Sequence, residues 1–198
     1  MEIQLVEDLI KVSLSMFRKD FIGIFHGSLS AKIEEDRFII NKKEAIFDEL
    51  TPADFIELNN ARDYRWKDAS IDALIHYHIY QNISEAKYIA YTMPPFVTAY
   101  TLEHETITPK DYFGARELGK IDIYDPGRYE TWYDRAKIEI YQKMMASESS
   151  LLVIKGYGIY AYDRDLKNLV KTVALLENSC KILHRNAQYR GRGHYPIS

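Results

Sequence analysis

The apolar positions of the first segment recur every three to four residues, which predicts an amphipathic helix over residues 3–19. Gly23 ends this pattern. Two short alternating or apolar runs, SLSAKIEE (28–35) and RFIIN (37–41), then predict a β-hairpin that turns at Glu35-Asp36. Gly27 and Ser28 therefore lie at the beginning of its first strand.

Three further segments carry signals for the start of a helix. Residues 51–54 (Thr-Pro-Ala-Asp) combine a capping hydroxyl, a proline at the first helical position and an acid in the first turn, and residues 108–111 (Thr-Pro-Lys-Asp) repeat the device. Ser70 predicts the cap of a helix that ends near Asn82, with Asp72 in its first turn. The predicted buried side of this helix consists of Ile71, Leu74, Ile75, His78 and Ile79.

The second half of the chain alternates strands and helices. The runs YIAYT (88–92), LLVIK (151–155) and IYAY (159–162) are rich in β-branched and aromatic residues, whereas residues 131–146 and 164–186 have helical periodicity. Low-complexity linkers and internal repeats are absent from the sequence. We therefore expect one α/β domain, residues 1–188, in which helices pack on a sheet. Residues 189–198 are expected to form a tail or an arm that reaches a neighbouring subunit.

Composition narrows the classes of protein. The 198 residues carry a formal net charge of -3, which gives no general attraction to nucleic acid or to an anionic membrane. The single cysteine, Cys180, excludes an internal disulfide, and the N-terminal segment lacks the basic start of a signal peptide. A cytoplasmic protein is expected. The 16 tyrosines outnumber the 8 phenylalanines, which suggests aromatic positions that need a hydroxyl.

An ordered set of local motifs resembles the class II aldolase and adducin head-domain family over about residues 4–186. Its Gly-Asn-x-Ser strand corresponds to residues 27–30 (Gly-Ser-Leu-Ser), and its Ser-Ser-Glu helix start to residues 70–72 (Ser-Ile-Asp). The family's His-x-His strand corresponds to residues 91–93 (Tyr-Thr-Met), and its His-Gly strand to residues 156–158 (Gly-Tyr-Gly).

The resemblance implies a three-layer α/β/α domain with a mostly antiparallel central sheet, assembled as a homo-oligomer and usually as a tetramer. It also implies a zinc ion and an acidic residue that together perform retro-aldol cleavage, epimerisation or dehydration of small sugar phosphates. In such chemistry the metal polarises a carbonyl and the acid moves a proton.

The positions that correspond to the family's zinc-binding histidines carry Tyr91, Met93 and Tyr157 in this chain. A neutral phenol and a thioether are poor substitutes for imidazole as ligands of Zn²⁺, so zinc is not expected and no metal-binding residue is assigned. Either the bulky side chains fill the space of the metal, or they form an aromatic pocket for a small ligand. An error in the correspondence, with a metal site elsewhere, is a third alternative.

Asp72 corresponds to the family's catalytic acid and is the candidate catalytic residue; alternatively it only complements the dipole of its helix. The candidate pocket residues are His26, Gly27, Ser28, Ser70, Tyr91, Met93 and Tyr157. The family's Thr-Pro-Ser-Gly loop corresponds to residues 40–43 (Ile-Asn-Lys-Lys), which leaves its phosphate contacts open. His78 is expected to be a hydrogen-bonded core histidine, and His104, His184 and His194 to lie in loop or terminal settings.

Two functions compete at this point. The first is a non-catalytic or altered-function oligomeric protein without zinc that serves in binding or interaction, as the adducin branch of the family does. The second is a metal-independent or otherwise rebuilt aldehyde-lyase or epimerase, with chemistry around Asp72, His26 and a tyrosine. It acts on a small hydroxy-carbonyl compound similar to a sugar phosphate.

Overall fold

The computed structural model describes residues 3–24 and 26–192. The helices are α1 (Ile3–Phe17), α2 (Ala73–Asn82), α3 (Pro95–Glu103), α4 (Tyr112–Glu117), α5 (Trp132–Ser147) and α6 (Leu166–Arg192). The strands are β1 (Ser28–Glu34), β2 (Arg37–Asn41), β3 (Phe55–Asn59), β4 (Tyr88–Thr92), β5 (Thr106–Ile107), β6 (Ile121–Tyr124), β7 (Leu151–Ile154) and β8 (Gly158–Asp163).

The strands form one eight-stranded sheet in the order β3-β2-β1-β4-β8-β7-β6-β5. β6 pairs with β7 in parallel, and the other pairings of this sheet are antiparallel. In the register of β1, β4 and β8, Ser28 lies opposite Tyr91, which in turn lies opposite Tyr160. Three side chains from distant parts of the sequence therefore come together at one end of the sheet centre.

Alternating side chains place a separate apolar core on each face of the sheet. On one face, Leu29, Ala90 and Ile159 pack with residues of α1, α3 and α6. On the other face, Ile89 and Tyr160 pack with residues of α2 and α5. The result is a three-layer α/β/α domain with a mostly antiparallel sheet, which confirms the predicted fold class.

The structure corrects several local predictions. β3, β5 and β6 were not predicted, and α2 begins at Ala73 with Asp72 as its N-cap residue. Ile71 lies outside that helix and is 66% exposed rather than buried. The cap of α4 is Asp111, whose carboxylate accepts a hydrogen bond from the Gly114 amide, rather than Thr108.

The C-terminal helix is longer than the sequence pattern indicated, because α6 continues to Arg192. It therefore includes the first part of the tail predicted at residues 189–198, and residues 193–198 lie outside the described residues. Across the described part of the chain, no helix combines the length and the apolar character needed to cross a membrane.

Candidate functional site

A small cavity opens where the beginning of β1, the end of β4 and the beginnings of α2 and α5 meet. Its volume is about 130 Å³. The residues that line it are His26, Gly27, Asn41, Lys43, Ala45, Phe47, Ser70, Ile71, Asp72, Tyr91 and Tyr133. The cavity therefore has an acid, an exposed cation and several neutral donors on partly apolar walls.

Asp72 lies at the inner end of this cavity and is only 2% exposed. The Tyr160 hydroxyl donates to its Oδ1 at 2.8 Å, and the Ser28 hydroxyl donates to its Oδ2 at 2.9 Å. Burial raises the pKa of Asp72, although these two hydrogen bonds act in the opposite direction. A buried carboxyl with a raised pKa can hold a proton under milder conditions than an exposed one.

Tyr91, Tyr157 and Tyr160 form an aromatic stack beside Asp72. The Tyr91 ring lies 4.9 Å from the Tyr160 ring and 5.0 Å from the Tyr157 ring, measured between centroids. Trp132 of α5 packs edge-on against Tyr157 at 5.6 Å. Offset and edge-on contacts of this kind stabilise aromatic pairs beyond the burial of their area.

The hydroxyls of this stack already have partners within the chain. The Tyr91 hydroxyl donates to the Tyr157 carbonyl at 2.8 Å, and the Tyr157 hydroxyl donates to the Tyr133 hydroxyl at 3.0 Å. Burial, and then the nearby Asp72 charge, raise the pKa of Tyr91 and the pKa of Tyr157 above the ordinary value. Both phenols are therefore neutral over the physiological range.

Backbone geometry explains the glycines beside the site. Gly27 has φ of 124°, and a Cβ there would lie 2.5 Å from the Ile22 side chain. Gly158 has φ of 138°, and a Cβ there would overlap the Thr92 carbonyl of the neighbouring strand. A side chain would be strained at either position, so both close approaches depend on glycine.

The structure brings most of the predicted pocket residues together. His26, Gly27, Ser70, Asp72 and Tyr91 line the cavity. Ser28 reaches it through its hydrogen bond to Asp72, and Tyr157 through its contacts with Tyr91 and Tyr133. Met93 follows the end of β4 and lies outside the set of described residues that line the cavity.

The prediction that His78 is the hydrogen-bonded core histidine is wrong. His76 is fully buried, whereas His78 is partly exposed and stacks on Tyr141. His76 lies between two serines of β1: its Nε2 is 2.9 Å from the Ser28 hydroxyl, and its Nδ1 is 2.7 Å from the Ser30 hydroxyl. Burial lowers the pKa of His76 to about 3, so its ring is neutral at physiological pH.

Several contributors to the site were not assigned to it from the sequence, among them Tyr160, Tyr133 and Lys43. A serine pair two residues apart on β1, together with a histidine and a tyrosine four residues apart on α2, was the signal available in the sequence for the buried network. In the described parts of the chain, no three His, Cys, Asp or Glu side chains form a group able to hold a metal ion.

Comparison with known proteins places this fold in a family. The family model described as Class II Aldolase and Adducin N-terminal domain matches residues 7–184. An L-fuculose phosphate aldolase from Methanocaldococcus jannaschii is 20% identical over 179 residues, which cover 89% of this chain and 93% of the relative.

Two solved structures agree with this assignment. L-fuculose-1-phosphate aldolase from Thermus thermophilus superimposes with a TM-score of 0.86 at 19% identity, covering 98% of this chain and 100% of that one. YgbL from Escherichia coli, a putative aldolase/epimerase/decarboxylase, superimposes with a TM-score of 0.79 at 15% identity, covering 98% and 92%. With the family model matching most of its length, the chain belongs to the class II aldolase and adducin N-terminal domain family.

Proposed function

We propose that this chain is a small-molecule-binding protein of the class II aldolase family whose pocket works without the family's zinc. The observation that carries the proposal is the tyrosine stack. Two of the three positions that correspond to zinc ligands, Tyr91 and Tyr157, hold neutral phenols whose hydroxyls donate to the Tyr157 carbonyl and to Tyr133.

The chemistry of the donor set does not fit zinc. A phenol binds a metal well only as a phenolate, and burial beside Asp72 raises the pKa of both tyrosines away from that form. Zinc sites also need three or four nitrogen, sulfur or carboxylate ligands at short range, a grouping that the described residues do not provide. These features support a pocket that has lost the inherited metal.

The cavity limits the chemistry and the size of the ligand. The cavity is small, with a volume of about 130 Å³, so its ligand is a small molecule. Asp72 offers an acceptor for ligand hydroxyls. The exposed Lys43 offers a cation, and Ser70 offers a hydroxyl on the same cavity. A short hydroxylated compound with an anionic end, such as a phosphate monoester, satisfies these groups. The relatives named as fuculose phosphate aldolases point to the same class.

Calorimetric titration of the tag-free protein in the presence of a chelator tests this proposal. The probes are L-fuculose 1-phosphate, inorganic phosphate and glycerol. We expect the phosphate ester to bind, and we expect Lys43→Ala to weaken it about tenfold, as for the loss of one charge-assisted contact. Lys171→Ala, which removes an exposed lysine of α6, is the matched control and should change nothing.

Either of two results would refute the binding proposal. The first is that none of the probes binds, and the second is that binding appears only after zinc is restored. Equal affinities in Lys43→Ala and Lys171→Ala would remove the anion-binding role of Lys43 while leaving the pocket itself in place.

A second candidate function is a metal-independent lyase or epimerase of a small hydroxy-carbonyl compound. The raised pKa of the buried Asp72 carboxyl favours it, because a carboxyl of this kind can take a proton and return it. Exposed His26 and half-exposed Tyr133 lie on the same cavity and could orient the substrate. Turnover should survive chelation and fall sharply in Asp72→Asn; unchanged turnover in that variant would exclude this function.

The proposal includes a homo-oligomer, as the family resemblance implies, with a tetramer as the expected size. The adjacent Tyr112 and Phe113 at the start of α4 are 68% and 61% exposed, which supports a contact surface there. Light scattering coupled to size-exclusion chromatography measures the assembly directly. A monomer at micromolar concentration would contradict this part of the proposal.

A further inference from the structure

A continuous chain of buried polar groups extends from the cavity along the inner face of α2. Behind Asp72, Ser28 contacts both the Asp72 carboxyl and His76, each at 2.9 Å. His76 contacts the Ser30 hydroxyl at 2.7 Å, and Ser30 contacts the Tyr80 hydroxyl at 2.7 Å. All five residues are at most 3% exposed, so water does not compete for these contacts.

The side-chain repeat of a strand and that of a helix bring the buried polar residues together. Ser28 and Ser30 are two residues apart on β1 and share the face that α2 covers. His76 and Tyr80 are four residues apart on α2 and therefore lie on the same side of that helix. The serines and the aromatic residues consequently alternate along one line.

With Asp72 ionised, the hydrogen-bond donors of these five residues can be ordered in only one way. The carboxylate only accepts, so Ser28 must donate its hydrogen to Asp72 and accept from Nε2–H of His76. The neutral ring then has a lone pair on Nδ1, which accepts from Ser30. Ser30 in turn accepts from the Tyr80 hydroxyl.

With Asp72 protonated at Oδ2, the order reverses. The carboxyl donates to Ser28, Ser28 donates to Nε2, and Nδ1–H of His76 donates to Ser30. The Ser30 hydrogen then points to Tyr80, whose own hydroxyl has a second acceptor in the Lys87 carbonyl at 3.5 Å. The two orders differ by one proton, which is taken up from solvent, and by the ring nitrogen of His76 that carries its hydrogen.

We propose that His76 is a positioning residue for the site carboxyl, and that the protonation of Asp72 and the tautomer of His76 are coupled through Ser28. This inference rests on the proposed function, since it concerns the carboxyl of the same pocket. The tautomer of His76 then determines whether Ser28 donates a hydrogen bond to Asp72 or accepts one from it. The buried polar network therefore holds the carboxyl either ionised or protonated.

The titratable groups near Asp72 come from β4, β8, α5 and the cavity wall. Tyr91 belongs to β4, Tyr157 precedes β8, Tyr160 belongs to β8 and Tyr133 to α5, and all four are phenols. His26 and Lys43 lie on the cavity wall. These phenols are neutral whether Asp72 is ionised or protonated. The Ser28 hydroxyl contacts both Asp72 and His76 and links them directly.

Nuclear magnetic resonance of the full chain labelled with ¹⁵N-histidine tests the coupling. The tautomer of His76 is read from the proton couplings of its two ring nitrogens, and a His76→Gln variant assigns the signal among the six histidines. The protonation of Asp72 is read in parallel from the infrared carboxyl band that disappears in Asp72→Asn. Both readouts are followed with pH in protein without added ligand, so the result is independent of whether the pocket binds one.

The expected result is Nε2–H wherever Asp72 is ionised and Nδ1–H wherever it is protonated. Any other pairing in the wild-type protein overturns the proposal, and this test needs no variant that folds differently. In Ser28→Ala the tautomer should stop following Asp72, whereas Ser28→Thr should keep the coupling. Ser13→Ala is the matched control, since Ser13 is equally buried on α1 and its hydroxyl has no partner in the described structure.

Discussion

The buried histidine should make the stability of this protein sensitive to acid. Folding lowers the pKa of His76 from 6.5 to about 3, because the folded chain removes its ring from water. The unfolded chain therefore binds one more proton than the folded chain between these two values. Stability from this group is complete above about pH 6.5 and is lost as the pH falls towards 3.

The size of the effect follows from linkage. A single group contributes a slope of up to about 1.4 kcal/mol per pH unit. For an unfolded-state pKa near 6.5, the loss in the free energy of unfolding between about pH 7.5 and pH 5 is about 2 kcal/mol. Because His76 is fully buried, solvent screening does not reduce this figure. Asp72 acts in the opposite sense, since burial raises its pKa.

Urea unfolding at constant protein concentration, across this pH range, measures the effect. His76→Gln cannot take up the proton, so its free energy of unfolding should fall by about 2 kcal/mol less than that of the wild-type protein. Because Asp72 is coupled to His76 through Ser28, the same comparison in the Asp72→Asn background removes the contribution of Asp72. His184→Gln makes the same change on the exposed side of α6 and should behave as wild type. Parallel pH profiles for wild type and His76→Gln would refute the reasoning.

Three further substitutions test the packing of the site by urea unfolding. Asp72→Asn should raise the free energy of unfolding at neutral pH, because it removes a buried charge. This gain should be lost as the pH falls and the Asp72 carboxyl takes up a proton, and a loss of stability at neutral pH would contradict the raised pKa. Tyr91→Phe should cost about 1 kcal/mol, the value of its hydrogen bond to the Tyr157 carbonyl, and an unchanged midpoint would show that this bond contributes nothing. Trp132→Ala should lower the free energy of unfolding by about 3–5 kcal/mol, since this α5 side chain is only 1% exposed. A loss under 1 kcal/mol would mean that the side chain is not part of the core.

Much of the fold could be predicted from local patterns. The long periodic segments that became α1, α5 and α6 and the apolar runs that became β4, β7 and β8 are dominated by their own periodicity. β3 was missed because FIELN has a charged residue in its middle and directly follows a short 3-10 turn. β5 and β6 are only two and four residues long, so they are defined by their partners rather than by their own sequence.

Less of the site than of the fold could be predicted from the sequence. A helical pattern beginning at Ser70 favours His78 as the buried histidine, whereas the observed helix begins at Ala73 and buries His76. Its partners, Ser28 and Ser30, lie 48 and 46 residues away, a pairing that only the register of β1 against α2 decides. Tyr160 looked like an ordinary strand residue, because its contact with Asp72 spans 88 residues.

Metal content per subunit, measured by mass spectrometry on tag-free protein, tests the central claim most directly. It should be measured as purified and again after equilibration with zinc, cobalt and manganese followed by dialysis. With Tyr91 and Tyr157 neutral and hydrogen-bonded, we predict far less than one ion per subunit in every case. Close to one tightly held ion per subunit would contradict the account and return the family's metal-assisted chemistry to this pocket.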